Sequence, residues 1–401
     1  MLTKTILFNN NLIKKIKSKN ILITKKKFLE FKKDYKEKKI PLLASFEKSY
    51  KLDYSKKLIK ILRKRKNIVL VGMGGSILGA KAIYSFLKQK IKKNFLFQDN
   101  LSANSILELN SKKFDKPVYI FISKSGNTIE TITNMNLIIQ NQKKNNIKIF
   151  ITEKTNNAIN EIANKLKAEI IEHKNFIGGR YSVMSEAGML PAELMNLKVK
   201  KFKNLNNLIN NKNFVNQLVN DVSCLYDLSK KKILNSIILN YDPDMNDLSC
   251  WYQQLIAESL GKKGKGFIPM VSTVPKDHHS LLQLYLDGPK NNFFTIFTSG
   301  HQKKYKLSNY LIPKSIKYIA KKNLGTVLDA QRKAMENALI INRIPFRTFH
   351  FLKKREKELG TIFTFFVLET ILLSRFMKLN PFDQPAVETI KQDTRKILLR
   401  S

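Results

Sequence analysis

Beyond about residue 54 the chain alternates two kinds of pattern. Short runs rich in β-branched and aromatic residues are separated by longer amphipathic stretches. Asn67 to Met73, Pro117 to Ser123, Ile147 to Thr152 and Ala168 to His173 form a first set of runs. Asn235 to Tyr241, Phe267 to Thr273, Asn292 to Thr298 and Pro345 to Phe351 form a second. Nearly continuous apolar character predicts strands buried on both faces, as in a parallel sheet between helices. The fold class expected is therefore α/β, with two successive doubly wound α/β/α sandwich units. The pattern divides the chain into a helical, Lys-rich N-terminal segment (1–54), a first unit (55–198), a second unit (199–379), and a C-terminal loop and helix (380–401). A polar helical stretch from about 199 to 232 holds the expected junction, and no close internal repeat is visible.

Composition adds bounds. The chain has 401 residues, enough for two ordinary domains, and its 43% hydrophobic content is that of a globular protein. The start lacks a small-residue cleavage site, so no signal peptide is expected. The longest apolar run, Thr361 to Met377, is interrupted by Glu369 and Arg375. It reads as a buried helix and not as a membrane span, which needs roughly 18 or more uncharged residues. Cys224 and Cys250 form no CxxC pair, which argues against a zinc knuckle or disulfide scaffold and fits a reducing cytoplasm.

Charge is the loud feature: 73 Lys and Arg against 31 Asp and Glu, a net +42. The lysines run end to end without an Arg-rich stripe, an RNA-binding aromatic pattern or zinc-finger spacing. That distribution favours solvated surfaces over nucleic-acid or membrane binding, so neither partner is expected. Such a field still attracts small phosphorylated anions.

Six segments carry candidate chemistry. Gly72 to Gly79 (GMGGSILG) follows a strand and opens a helix, where glycines allow close approach of backbone N–H groups to an anion. Ile77 breaks the dinucleotide glycine register, and no Gly-Lys-Ser/Thr follows, so it is neither that fingerprint nor a Walker loop. Ser123 to Thr131 (SKSGNTIET) places four hydroxyls near a helix start, a cradle for a phosphate dianion where simple capping explains only one of them. Gly178 to Ser185 (GGRYSVMS) offers Arg180 either as a surface turn residue or as a cation facing a developing oxyanion. Gln254 and Glu258 lie four apart on one helix face, where the carboxylate is either a general base or an ordinary surface group. Asp277 to Gln283 contains His278 and His279, a poor chelate but a plausible source of one acid–base histidine. Asn380 to Lys391 (NPFDQPAVETIK) turns into a helix whose lysine is either a pocket cation or a solvent lysine.

In this order, the six segments resemble the glucose-6-phosphate isomerase family, whose motifs GxGGSxLG, SKSGxTxET, GGRxSxxS, QxxxESxGK, HxxxQ and FDQxxVExxK they match over about residues 67 to 391. The resemblance implies two sugar-isomerase domains, each a five-stranded parallel sheet between helices. It implies a glycolytic and gluconeogenic enzyme interconverting glucose 6-phosphate and fructose 6-phosphate, with no cofactor and no metal. Gly75, Ser76, Ser123, Lys124 through its backbone, Ser125, Thr128 and Thr131 would hold the phosphate. Glu258 would be the base of a cis-enediolate mechanism, Arg180 would stabilise the intermediate, and Gln254 would order sugar hydroxyls. His279 and Lys391 would serve ring opening, with the histidine coming from the partner subunit of a cytoplasmic homodimer.

Departures bear on details. Asn127 and Leu260 stand where Thr and a polar residue are frequent, and Ala386 where Gly is common. The approach Lys276-Asp277-His278 is unusual, and HxxxQ spacing selects His279 over His278. A dual phosphoglucose/phosphomannose isomerase is the nearest rival, disfavoured by Gln254. A non-catalytic sugar-phosphate regulator is another, disfavoured by Glu258 and by the lack of an evident helix-turn-helix.

Overall fold

The computed structural model describes residues 1–13, 18–104, 107, 115–141, 146–300 and 305–400. Two five-stranded sheets form its frame. Its first strand, Ile6–Asn11 (β1), lies inside the segment expected to be wholly helical, and the long helix Ser18–Lys36 follows it.

The first sheet contains Asn67–Gly72 (β2), Asn94–Gln98 (β3), Val118–Ile122 (β4), Ile147–Thr152 (β5) and Glu169–Glu172 (β6). Their order is β3-β2-β4-β5-β6, and every pairing is parallel. Period-2 geometry explains why such strands are apolar throughout. Along β2, Ile68 and Leu70 join one buried cluster while Val69 and Val71 join another. In β4, Val118, Ile120 and Ile122 face the first cluster and Tyr119 and Phe121 the second. Each fully buried large side chain contributes roughly 1.5–3 kcal/mol, so both faces are anchored.

The second sheet contains Asn235–Asn240 (β7), Ile268–Thr273 (β8), Asn292–Ser299 (β9) and Phe346–Phe351 (β10), ordered β1-β10-β9-β7-β8. Here the all-parallel expectation is corrected: β1 runs antiparallel to β10, at the sheet's edge. An edge strand needs few inward apolar residues. Ile6 and Phe8 supply them, with Phe8 stacked 4.6 Å from Phe349, while the Asn-rich half stays partly exposed.

The helix Glu356–Met377 is long and apolar enough to cross a bilayer, yet 94% of its apolar window is buried in the protein. It packs with Lys212–Lys230 and Asn246–Leu260, so its apolarity is accounted for by the core.

What positions the site is topology. In the first sheet the chain leaves β2 for β3 on one side and returns to β4 on the other. At such a switch point the loops leaving the carboxyl ends diverge and open a crevice. Gly72 pairs with Ile122, so the loops starting at Met73 and Ser123 begin side by side at that crevice.

Candidate active site

Backbone contact builds the site's floor. Gly74, with φ +51°, precedes the helix Gly75–Leu87, and a Cβ on it would come 2.9 Å from Nε2 of Gln254. A Cβ on Gly75 would come 2.2 Å from the carbonyl carbon of Gly179. Neither position admits a side chain without displacing the strand-to-helix turn, the Arg180 segment or the Gln254 amide. Ser182 Oγ donates to the Gly75 carbonyl at 3.2 Å and pins the two segments together. Three of the sequence-predicted segments thus meet at Gly74 and Gly75.

On that floor lies the carboxylate. Gln254 and Glu258 are on the helix Asn246–Leu260, and the amide Nε2 donates to Glu258 Oε2 at 3.2 Å. Arg180 Nη1 stands 3.4 Å from the same oxygen. The Arg180 side chain is only 2% exposed whereas that of Glu258 is 27% exposed. A guanidinium held in the protein therefore faces a carboxylate that solvent or a ligand can reach. Oε1 of Gln254 is buried and has no hydrogen-bond partner among the described residues. An orphaned buried acceptor beside the carboxylate suits a hydroxyl donor from a ligand.

Arg180 is locked in place. Its Nε donates to Ser259 Oγ at 2.8 Å, its Nη1 to Gln384 Oε1 at 2.9 Å, and its Nη2 to the carbonyls of Pro381 and Asp383. Tyr181 Oη also donates to the Pro381 carbonyl and lies 2.9 Å from Ser259 Oγ. Burial raises its pKa, keeping it a neutral hydroxyl. Lys262 Nζ bonds the carbonyl of Asn380 and, at 2.6 Å, the carboxylate of Asp383. That hydrogen bond holds the Asp383 pKa below the usual carboxylate range. The sequence reasoning passed over Gln384, Ser259, Tyr181 and Lys262, although each lies inside a quoted motif.

The hydroxyl segment occupies the loop after β4 and the start of the helix Ile129–Gln140. Thr128 stands at the N-cap, but its side chain makes no capping bond and lies 2.9 Å from Ser123 Oγ. Simple capping thus fails to account for Thr128, and the helix N-terminus keeps its affinity for anions. Ser125 is exposed and accepts from the Asn127 N–H at 3.4 Å. Thr131 is fully buried, with its hydroxyl unpartnered among the described residues. Ser76 is half-buried in the first turn of the facing helix. The Lys124 ammonium turns away to the Asn175 carbonyl at 2.7 Å, leaving only its backbone at the cradle.

Two expected residues are not brought to the carboxylate within one chain. His279 is exposed on the short 3-10 helix Lys276–His279 beyond β8 and makes no hydrogen bond among the described residues. Its neighbour His278 is engaged with Tyr241 Oη at 3.0 Å, and burial lowers its pKa. Lys391 is exposed on the helix Val387–Leu398 and paired with Glu388 at 2.6 Å. Among the described residues no group of three or more His, Cys, Asp or Glu is placed to hold a metal ion.

Comparison with known proteins gives this geometry a lineage. The family model described as Phosphoglucose isomerase matches residues 60–400. The chain belongs to that family. It is 32% identical over 346 residues to the glucose-6-phosphate isomerase of Methanocaldococcus jannaschii, covering 83% of this chain and 84% of the relative. It is 30% identical over 362 residues to that of Campylobacter jejuni, covering 86% and 89%. Among solved structures, a hypothetical protein from Thermus thermophilus superposes with a TM-score of 0.84 at 19% identity, covering 98% of this chain and 99% of that one. A glucose-6-phosphate isomerase from Chlamydia trachomatis gives 0.73 at 16% identity, covering 89% and 78%. The two structural likenesses establish the sugar-isomerase fold.

Proposed function

We propose that this chain, as a phosphoglucose isomerase family member, interconverts glucose 6-phosphate and fructose 6-phosphate by proton transfer through a cis-enediolate. The observation that carries the proposal is the Glu258 carboxylate, 3.4 Å from the immobilised Arg180 guanidinium and 3.2 Å from the Gln254 amide.

In this reading, Ser76, Ser123, Ser125, Thr128 and Thr131 hold the phosphate with the backbone of Gly75 and Lys124. The sugar carbons then extend toward Glu258. Binding energy spent on the remote phosphate becomes orientation at the reacting carbons. Glu258 takes the proton from C2 of the open chain, and the C–H electron pair forms the C1–C2 double bond. Arg180 faces the oxygen that gains negative charge, an arrangement costing no reorganisation because its other donors are already satisfied. The hydroxyl proton passes from O2 to O1, and Glu258 returns its proton to C1, which leaves a carbonyl at C2 and a hydroxyl at C1.

Ring opening is assigned to His279 and Lys391, and the active site is completed in a homodimer. Two features support this. Ile268 and Met270 on edge strand β8 and Leu284 on the helix Leu282–Asp287 are exposed, on the elements before and after the exposed His279 in the chain. The helix Val387–Leu398 buries none of its residues and exposes Val387, Ile390 and Ile397. Apolar surface of this kind marks a protein interface. The division into units at 55–198 and 199–379 belongs to the same proposal, as does a cytoplasmic location, which suits the free thiols of Cys224 and Cys250.

A coupled assay of fructose 6-phosphate conversion tests the reading. Wild type should turn over, and Glu258→Gln should lose about 10³-fold in kcat, as expected for removal of a general base. Full activity in the variant, or none in wild type, would reject it.

A further inference from the structure

A second cavity, of about 780 Å³, lies away from the crevice and shares no lining residue with it. One wall is the stretch from Lys48 to Arg63; the other is Glu193 with the segment Val199 to Lys203. Seven of its thirteen lining residues are basic, against 73 Lys and Arg in the 401-residue chain. Over half against under a fifth is more than the chain's general bias supplies. The single acidic lining residue, Glu193, is already paired with Arg63 at 2.6 Å.

Deep in this cavity stands Lys203. The residue is 2% exposed, and its Nζ is buried with no hydrogen-bond partner among the described residues. Its one close neighbour of note is the Tyr50 ring, with Nζ 4.5 Å from the centroid. The nearby buried carboxylate Glu186 is committed elsewhere, accepting from Tyr50 Oη at 3.1 and 3.2 Å and from the Asp53 N–H at 3.0 Å. A second orphan shares the wall: Tyr54 Oη is buried and unpartnered among the described residues. An ammonium with three donors is rarely left unsatisfied inside a protein, so its isolation here points to an absent acceptor. Lys200 and Lys60, both exposed, line the same cavity.

We propose that this cavity is a second anion site, for a small molecule carrying two or more phosphoryl groups, with Lys203 as its deep ligand and Lys60 and Lys200 as its exposed ones. The volume falls within the range of small-ligand pockets. Multiple cations of one sign along a concave wall select high charge density. Burial lowers the Lys203 pKa to about 8, with the Glu186 charge opposing that shift. A bound anion would raise the pKa again, so binding near pH 8.5 should take up protons.

The test uses full-length protein and inorganic pyrophosphate as probe, by titration calorimetry at low salt. The background is Ser125→Ala with Thr128→Val, which weakens the cradle. The expected result is one saturable site per chain, with a heat that depends on buffer ionisation at pH 8.5. Lys203→Met should weaken it about tenfold or more and abolish the proton uptake, whereas Lys203→Arg should retain binding. If Lys203→Met fails to fold, Lys60→Ala with Lys200→Ala reads the same site and should weaken binding about tenfold. No saturable binding, binding unchanged in folded Lys203→Met or in the Lys60 and Lys200 pair, equal binding of citrate, or equal binding of duplex DNA would each overturn the proposal.

Discussion

Two buried arginines show what separates a reactive centre from a structural one. Arg347, on β10, is wholly enclosed and bonded to both Asp221 and Glu369, each also fully buried. Its Nε donates to Thr295 Oγ1 at 3.0 Å, and Tyr252 Oη bridges Nη2 to Glu369 at 2.6 and 2.8 Å. Burial drives the Asp221 pKa up, and every donor of the guanidinium faces an anion, a hydroxyl or an aromatic ring. Arg180 is almost as buried but has one carboxylate, at 3.4 Å, and that carboxylate is open to the crevice. Neutral carbonyls, an amide and the Ser259 hydroxyl hold the rest of its donors. The helix Asn246–Leu260 serves both, with Tyr252 at the closed centre and Glu258 at the open one. The closed centre is spent on cohesion. The open one keeps a charge available for chemistry.

Substitution should separate the two roles. Removing Arg347 strands two buried carboxylates, so Arg347→Met should lower unfolding free energy by about 3–5 kcal/mol in denaturant titration. Adding Asp221→Asn and Glu369→Gln should recover much of that loss. Arg180→Lys should lower stability by only about 1–2 kcal/mol, through the buried acceptors it leaves unpaired, and lower kcat by about 10²–10³-fold in the conversion assay. A large stability loss at Arg180, or a large activity loss in folded Arg347→Met, would collapse the distinction.

A third buried group sharpens it by pH. His173, beyond β6, is 1% exposed, and burial pushes its pKa down to about 4. The unfolded imidazole titrates near ~6.5, so below that pH the unfolded state binds a proton the folded state refuses. Stability should therefore fall as pH drops from ~6.5 to about 4, by up to about 3 kcal/mol. His173→Asn should flatten that slope in urea titrations at stepped pH. The smallest effect is expected at the cradle: Thr128→Val removes one hydroxyl donor and should raise KM about fivefold to tenfold with kcat little changed.

Much of this was legible in the chain. The eight apolar runs became strands within about one residue of their expected ends, because burial on both faces leaves little room for polar residues. β1 was hidden, since half of ILFNNN is polar and its partner β10 lies more than three hundred residues later. β3 was missed because NFLFQ is short, begins exposed and sits at the other sheet's edge. At the site, motif spacing picked out Arg180, Gln254 and Glu258, which the fold brings within hydrogen-bond or ion-pair distance. It could not reveal Gln384 or Ser259 as the groups that aim Arg180, because that role exists only once the loop after Met377 closes over the guanidinium. His279 and Lys391 stay apart from Glu258 in one chain, and the dimer proposal takes up that gap.

The central claim is that Glu258 carries the proton. Isomerisation of fructose 6-phosphate in D2O, followed by proton NMR, tests it directly. Wild type should deposit deuterium at C2 of glucose 6-phosphate, and folded Glu258→Gln should reduce that labelling by about 10³-fold. Labelling or net conversion by folded Glu258→Gln at the wild-type rate would contradict the account.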